Sequence, residues 1–143
     1  MFVSDVTSTG AFPLLEKTLA FSEARNRMLA ANVANITTPG YRAKQLDVGA
    51  FQAALRDAAR KQAAGGKFEL EETNEFHTDS AGLLHVTPTT EPVENLLFHD
   101  GTNARIERQM ANLAKNAMTH QMAAELLKGY YDGMEKAIRG RLR

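Results

Sequence analysis

The chain has no cysteine and no tryptophan, and its charges cancel. Without cysteine, neither a disulfide framework nor thiolate chemistry is possible. A net charge of zero, from 17 Lys and Arg against 17 Asp and Glu, provides none of the basic surface that nucleic-acid binding usually requires. No apolar run approaches the roughly 18 residues that span a bilayer. We therefore expect a protein that binds no nucleic acid and does not itself span a membrane.

Residues 1–12 are polar and carry no ordinary secretory signal peptide, because they lack a basic region and a long apolar region. We predict a flexible segment here. If the protein works outside the cytoplasm, we expect it to leave by a route that needs no cleaved signal.

The residue patterns of common catalytic and cofactor sites are also missing. The four histidines do not have the spacing of a zinc site; they are His77, His85, His99 and His120. No nucleophile elbow, P-loop or dinucleotide-binding fingerprint is present. We therefore predict no enzyme activity, no metal or other cofactor, and no small-molecule substrate.

What the chain does contain is a well-marked helix end. Pro39 disfavours helical backbone at Thr38, and Gly40 allows a positive φ. The sequence therefore predicts a bend that sends the chain out of the helix in a fixed direction. The residues assigned to this bend are Ala31, Asn32, Ala34, Asn35, Thr38, Pro39, Gly40 and Tyr41.

Asn32 and Asn35 stand out in this stretch, because asparagine is a poor residue inside a helix. They are three apart and so share one side of the helix. Their spacing alone leaves two interpretations open. Both amides bond the turn at Thr37–Gly40, or both face a neighbouring subunit.

Residues 13–37 are predicted to form the first long helix, with Pro13 in its first turn. Ser22 and Asn26 complete a line of positions that alternate four and three apart. The apolar members of this line, predicted to pack against other helices, are Leu15, Leu19, Leu29, Val33 and Ile36. A second line of Leu14, Phe21 and Met28 widens the apolar surface. This width fits either a broad core face or contact with more than one neighbour.

Residues 103–139 show the clearest pattern, that of a second long helix for which Asn103 is a good N-cap. Its apolar positions alternate four and three apart over more than four heptads, as in a coiled coil. The predicted packing residues are Ile106, Met110, Leu113, Ala117, Leu127, Tyr131, Met134 and Ile138, and the line also passes through His120 and Ala124.

Residues 41–102 read as a variable, loop-rich insert with short strands. Leu46, Val48, Phe51 and Leu55 are interpreted as a short strand followed by a helical turn. Residues 67–72 alternate apolar and charged residues, as a half-exposed strand does, and residues 83–87 are a second short strand candidate. An apolar run follows at 95–98, before a turn at 99–102.

The predicted fold is mainly α. Two long antiparallel terminal helices form a coiled-coil-like pair, and the small, partly β insert lies between them. The predicted divisions are a flexible segment at 1–12, a helix and Thr-Pro-Gly bend at 13–40, the insert at 41–102 and the last helix at 103–143. One such pair still leaves apolar surface exposed, so we expect assembly with other helices.

Ala31-Asn32-Val33-Ala34-Asn35, followed by Thr38-Pro39-Gly40-Tyr41, resembles the N-terminal signature of bacterial flagellar rod and hook proteins. The run at 106–121, continued to residue 141, is similar to the last helix of basal-body rod members of that family. The two resemblances cover about 13–55 and 95–141.

This resemblance implies a structural subunit of the proximal rod of the basal body, in the periplasm. It implies export through the flagellum's own type III apparatus and assembly through the terminal helices, with torque passed from the motor ring to the distal rod and hook. The implied partners are other rod subunits, further copies of the same chain, and membrane-ring and export-apparatus proteins at the rod base.

A second hypothesis is a cytoplasmic helical adaptor or chaperone-like module that holds a partner's helix with the same apolar lines. Secretion separates the two hypotheses, because an adaptor must not leave the cytoplasm. An enzyme is a more distant third alternative, since it needs a pocket with convergent titratable groups.

Overall fold

The computed structural model describes residues 10–90 and 101–140. This part of the chain forms three helices and two small antiparallel sheets, each of two short strands. The helices are α1 (Phe12–Ala34), α2 (Val48–Ala63) and α3 (Gly101–Ile138), and the strands are β1 (Lys44–Gln45), β2 (Phe76–Thr78), β3 (Leu84–Val86) and β4 (Thr89–Thr90). The predicted mainly α fold with a small β part is confirmed.

Three features predicted from the sequence lie wholly or largely outside the described residues. They are the flexible N-terminal segment, of which residues 1–9 are not described, the apolar run at 95–98, and the last residues at 141–143.

Helix α1 begins with Pro13 in its first turn, where a missing N–H is tolerated. It ends at Ala34, three residues before the predicted end at residue 37. The backbone N–H of the C-cap residue Asn35 still bonds the carbonyl oxygen of Ala31 at 3.1 Å. Ile36 consequently lies in the turn that follows the helix.

Helix α2 occupies Val48–Ala63, where a short strand followed by a helical turn was predicted, so the strand part of that interpretation is wrong and the helix is longer than one turn. Asp47 is its N-cap, and one carboxylate oxygen accepts from the N–H of Ala50 at 2.9 Å. The buried residues are Phe51, Ala54, Leu55 and Ala58, which share one face at helical spacing. Two of these four are alanines, so the apolar period was weak in the sequence.

The strands form two separate pairs. β2 and β3 make a hairpin in which His77 lies opposite His85, and β3 falls within the predicted strand at 83–87. β1 pairs with β4, so that Lys44 lies opposite Thr90. Residues 67–72, also predicted as a strand, are irregular.

The main core lies between α1, α2 and the hairpin. The rings of Phe21 and Phe51 stack with centroids 3.8 Å apart. Phe76 of β2 packs edge-on against both rings, at 6.4 and 5.4 Å, and is 1% exposed. Burial of aromatic surface therefore fixes the insert against α1.

Helix α3 runs along α1 in the opposite direction. Near the start of α1, Phe12 contacts Tyr130 and Tyr131, with ring centroids 5.8 and 5.5 Å away. Ten residues further along α1, Ser22 lies 3.0 Å from the ring of His120. With 38 residues, α3 is about 57 Å long. It begins two residues before the predicted N-cap at Asn103.

Over residues 10–90 and 101–140, no helix combines the length and apolar character needed to cross a membrane.

Candidate assembly surface

The side chain of Asn32 is 2% exposed and fully engaged within the chain. Its amide nitrogen donates to the carbonyl oxygen of Lys44 at 2.7 Å, and its oxygen accepts from the backbone N–H of Lys44 at 2.9 Å. The Tyr41 hydroxyl also donates to that oxygen, at 3.0 Å. Asn32 therefore bonds β1 as a neighbouring strand would, and it does not face a subunit.

Asn35 forms its side-chain hydrogen bonds with residues close to it in the sequence. Its amide nitrogen donates to the carbonyl oxygen of Ala31 at 2.9 Å, and its oxygen accepts from the Thr38 hydroxyl at 3.4 Å. This matches the interpretation in which the amide bonds the turn, whereas Asn32 reaches past the turn to Lys44. The two asparagines thus have different roles despite their shared helix side.

The remaining residues of the predicted bend lie at the surface. Gly40 has φ +75°, a conformation that glycine adopts without strain. The exposed residues are Ala31, Ala34, Thr38, Pro39 and Gly40, while Tyr41 is half-buried. The bend therefore combines an inward anchor at Asn32 with an outward turn.

A polar cluster occupies the middle of the contact between α1 and α3. The amide nitrogen of Asn116, a residue 2% exposed, donates to the Ser22 carbonyl oxygen at 2.7 Å. Its oxygen accepts from Arg25 at 3.4 Å. The Ser22 hydroxyl donates to the carbonyl oxygen of Leu19 at 2.9 Å, so it accepts from Nδ1 of His120 when that nitrogen carries the proton.

This cluster, formed by Ser22, Arg25, Asn116 and His120, fixes how far α3 can slide along α1. A buried polar pair satisfied in one alignment is left unpaired in others. Burial lowers the pKa of Arg25, but a guanidinium stays charged at neutral pH because its ordinary pKa is far above neutral. The sequence singled out Ser22 and His120, but it gave no signal for Asn116.

The predicted packing residues of α1 lie toward the interior. Leu15 and Leu29 are buried, and Leu19, Val33 and Ile36 are half-buried. Those of α3 divide into two groups. Ile106, Leu113, Leu127 and Met134 are half-buried, whereas Met110, Ala117, Tyr131 and Ile138 are exposed. The second group is open to other contacts, although Tyr131 also packs against Phe12 of α1.

A further apolar line on α3 was not predicted. Met118, Met122 and Leu126 are 72%, 64% and 55% exposed, and we call these three residues the outer ridge. They are four apart and share one side of the helix, which differs from the side of Asn116 that faces α1. Gly129 and Gly133 continue this side, and a Cβ on either would meet no atom of the described chain within 4 Å apart from its neighbours and the nearby backbone of its own helix. Their regular spacing was a signal available in the sequence.

An open cavity of about 830 Å³ lies between the start of α1 and the loops around residues 66–69 and 78–82. Lys17 lines it, is buried, and donates to the carbonyl oxygen of Gly82. This bond ties the hairpin turn to α1. Within the part of the chain that the structure describes, no group of three or more His, Asp or Glu side chains could hold a metal ion.

Known proteins resemble this chain along most of its length. It is 25% identical to the flagellar basal body rod protein FlgB of Aeromonas hydrophila over 130 residues, covering 91% of this chain and 93% of the relative. It is 26% identical to FlgB of Bacillus subtilis over 133 residues, covering 92% and 95%. FlgB of Escherichia coli is 27% identical over 128 residues, covering 86% and 88%. The chain is similar to FlgB over nearly its whole length.

The match to FlgB of Aeromonas hydrophila leaves only about a tenth of the chain unaligned. The aligned part therefore includes the bend at 31–41 and most of both long helices. No family model matches the chain, so its similarity to FlgB rests on these matches over most of its length. The signature that we recognised in the sequence is consistent with them.

Proposed function

We propose that this protein is a structural subunit of the flagellar basal body rod and that it assembles through α1 and α3. Its FlgB relatives carry the name of a basal body rod protein. In the proposal, the partners are other rod subunits and further copies of this chain. The role is structural and involves no catalysis.

The outer ridge is the observation that carries this proposal. Met118, Met122 and Leu126 place three large apolar side chains in solvent on one side of a long helix. Contiguous exposed apolar residues mark interaction sites in soluble proteins. Since α1 covers another side of α3, a neighbouring subunit is the natural cover for the ridge.

The polar cluster supports a mechanical role. In the proposal, α1 and α3 act as a coiled-coil-like pair, and the bonds of Asn116 to Ser22 and Arg25 resist sliding along the pair. A subunit that passes torque from the motor ring toward the distal rod and hook needs such a fixed internal alignment. The exposed residues Met110, Ala117, Tyr131 and Ile138 are proposed to contribute to packing between subunits.

The finer parts of the proposal rest on the family resemblance. We place the protein in the proximal rod, in the periplasm, with membrane-ring and export-apparatus proteins as its neighbours at the rod base. We propose that the flagellar type III apparatus exports it, with no cleaved signal peptide.

A charge placed in the outer ridge tests the proposal. We expect Met122→Glu to leave the helical circular dichroism spectrum unchanged, because this side chain is 64% exposed. We expect at least about a tenfold loss of the protein from purified basal bodies, with impaired motility, because burying an unpaired carboxylate at a subunit contact costs several kcal/mol.

Leu83→Glu is the matched control, since Leu83 is a comparably exposed apolar residue, at 57%, on the hairpin. It should enter basal bodies at the wild-type level. Wild-type incorporation of Met122→Glu would refute the role of the outer ridge. A wild-type protein that stays in the cytoplasm of motile cells would instead favour the adaptor hypothesis and overturn the rod assignment.

A further inference from the structure

Asn32 lies near the end of α1, beside the paired strands β1 and β4. Lys44 of β1 gives both its backbone N–H and its carbonyl oxygen to the Asn32 amide, at 2.9 and 2.7 Å. In an antiparallel pair, only every second residue exchanges hydrogen bonds with the partner strand. The backbone groups of Lys44 therefore point toward α1, and those of Gln45 point toward β4.

The Asn32 amide thus caps the open edge of a two-stranded sheet. An isolated pair of strands this short is not stable in water, and an unpaired edge leaves its polar groups to solvent. Here β1 is the strand that follows α1, and β4 is the last strand before α3 among the described residues. The buried side chain of Asn32 therefore holds β1 directly and holds β4 through its pairing with β1.

Glu75 closes the same junction from the hairpin side. One of its carboxylate oxygens accepts from the backbone N–H of Asp47 at 2.7 Å, and the other accepts from the Thr89 hydroxyl at 2.8 Å. The junction of β1 and β4 consequently has one anchor in α1 and one in the insert.

We propose that Asn32 is a positioning residue that latches the insert to the helix pair by pairing its amide with the backbone of Lys44. This assignment goes beyond the proposed function, because it concerns the folded single chain and does not depend on entry into a rod. It gives the asparagine of the bend a role of its own, distinct from that of Asn35. Opening the latch would release β1 and residues 35–43 from α1, while the aromatic core still holds α2 and the hairpin and both long helices stay intact.

Limited proteolysis with trypsin tests the latch, because Arg42 and Lys44 are exposed cleavage sites beside it. In Asn32→Ala we expect cleavage at these two sites, measured relative to cleavage at exposed Lys67, to rise about tenfold. That is the change produced when one or two hydrogen bonds are lost from a local opening equilibrium. Asn35→Ala is the matched control, and it should change the ratio by less than about twofold.

The Asn32→Asp variant separates hydrogen bonding from packing. Its ionised carboxylate can accept from Lys44 but cannot donate to the Lys44 carbonyl oxygen, whereas the protonated acid can do both. We therefore expect the protection of the Lys44 N–H against hydrogen exchange to rise as the pH falls from 7 through about 4. Asn32→Ala should show no such rise.

Equal cleavage ratios in Asn32→Ala and Asn35→Ala would overturn the proposal. If Asn32→Ala proves unfolded, the pH series of Asn32→Asp decides, and protection that is independent of pH would also overturn it. Neither result bears on the rod assignment, which the incorporation of Met122→Glu tests separately.

Discussion

The two sides of α1 are packed in different ways. On one side, the insert buries Phe51 and Phe76 against Phe21 in tightly contacting rings. On the other side, α3 is aligned by hydrogen bonds around Asn116, and it leaves the outer ridge in solvent. The insert side is a completed core. On the other side, α3 is covered by α1 on one face only.

This difference shows how one chain can combine a stable fold with a capacity to assemble. The aromatic core supplies stability within the subunit, since burial of large rings dominates core energetics. The polar cluster contributes alignment more than stability, because hydrogen bonds in folded proteins have a small net value. Apolar surface that the single chain does not bury remains available to neighbours.

The largest expected effect comes from removing a ring from the completed side. We expect Phe76→Ala to lower the free energy of unfolding by about 3–5 kcal/mol, because it leaves a cavity between two other rings. Urea unfolding followed by circular dichroism measures this loss. Met122→Ala on the outer ridge should change the same quantity by less than about 0.5 kcal/mol. Comparable losses in the two variants would show that the two sides do not differ in this way.

A smaller effect is expected in the polar cluster. Asn116→Ala leaves the Ser22 carbonyl oxygen and the Arg25 guanidinium without their amide partner. We expect a loss of about 1–2 kcal/mol, since the unpaired groups cost about 1–3 kcal/mol and alanine returns up to about 0.7 kcal/mol of helix propensity. Urea unfolding again provides the measurement.

Thr119→Ala is the control for the cluster, because its hydroxyl bonds the Lys115 carbonyl oxygen on the exposed side of the same helix. It should change stability by less than about 0.5 kcal/mol. If Asn116→Ala is no more destabilising than this control, the cluster does not align the helices.

The sequence predicted those parts of the fold that local signals determine. Pro39 and Gly40 define a turn by their own backbone limits, and the apolar residues of α1 and α3 repeat over many turns. The strand at 83–87 alternates clearly. The sequence interpretation found only a helical turn in α2, because Ala54 and Ala58 occupy its buried face without adding to an apolar pattern, although Asp47 was a usable N-cap signal.

The candidate site was less predictable, because it depends on what lies across from each residue. Asn116 is buried and Met118 is exposed on the same helix, the reverse of their polarity. Hydropathy alone predicts an exposed Asn116 and a buried Met118, which is wrong. A buried amide is acceptable only when groups distant in sequence, such as the Ser22 carbonyl, form hydrogen bonds with it. The bond from Asn32 to Lys44 likewise spans a turn whose path no spacing rule specifies.

The smallest expected effect lies at the hairpin turn of the insert, which belongs neither to the α1–α3 contact nor to the outer ridge. The His85 ring bonds the Asp79 carboxylate at 2.8 Å, and with the N–H groups of Leu83 and Ala81 it holds the pKa of Asp79 below its ordinary value. A lowered pKa means that folding favours the carboxylate. The stabilisation is therefore present above the ordinary Asp pKa of about 4 and is lost as the pH falls through the lower, folded value.

We expect His85→Ala to raise the pKa of Asp79 toward its ordinary value, as followed by the carbon-13 shift of its carboxyl group during an NMR titration. His77→Ala is the control, because His77 stacks on His85 at a centroid distance of 5.2 Å while the carboxylate bond is made by His85. Equal shifts in the two variants would point to general loosening of the hairpin rather than loss of one bond. Because the turn lies at the surface, neither variant should alter the α1–α3 contact, and a change at Asn116 in the same spectra would show that the two sides of α1 are coupled.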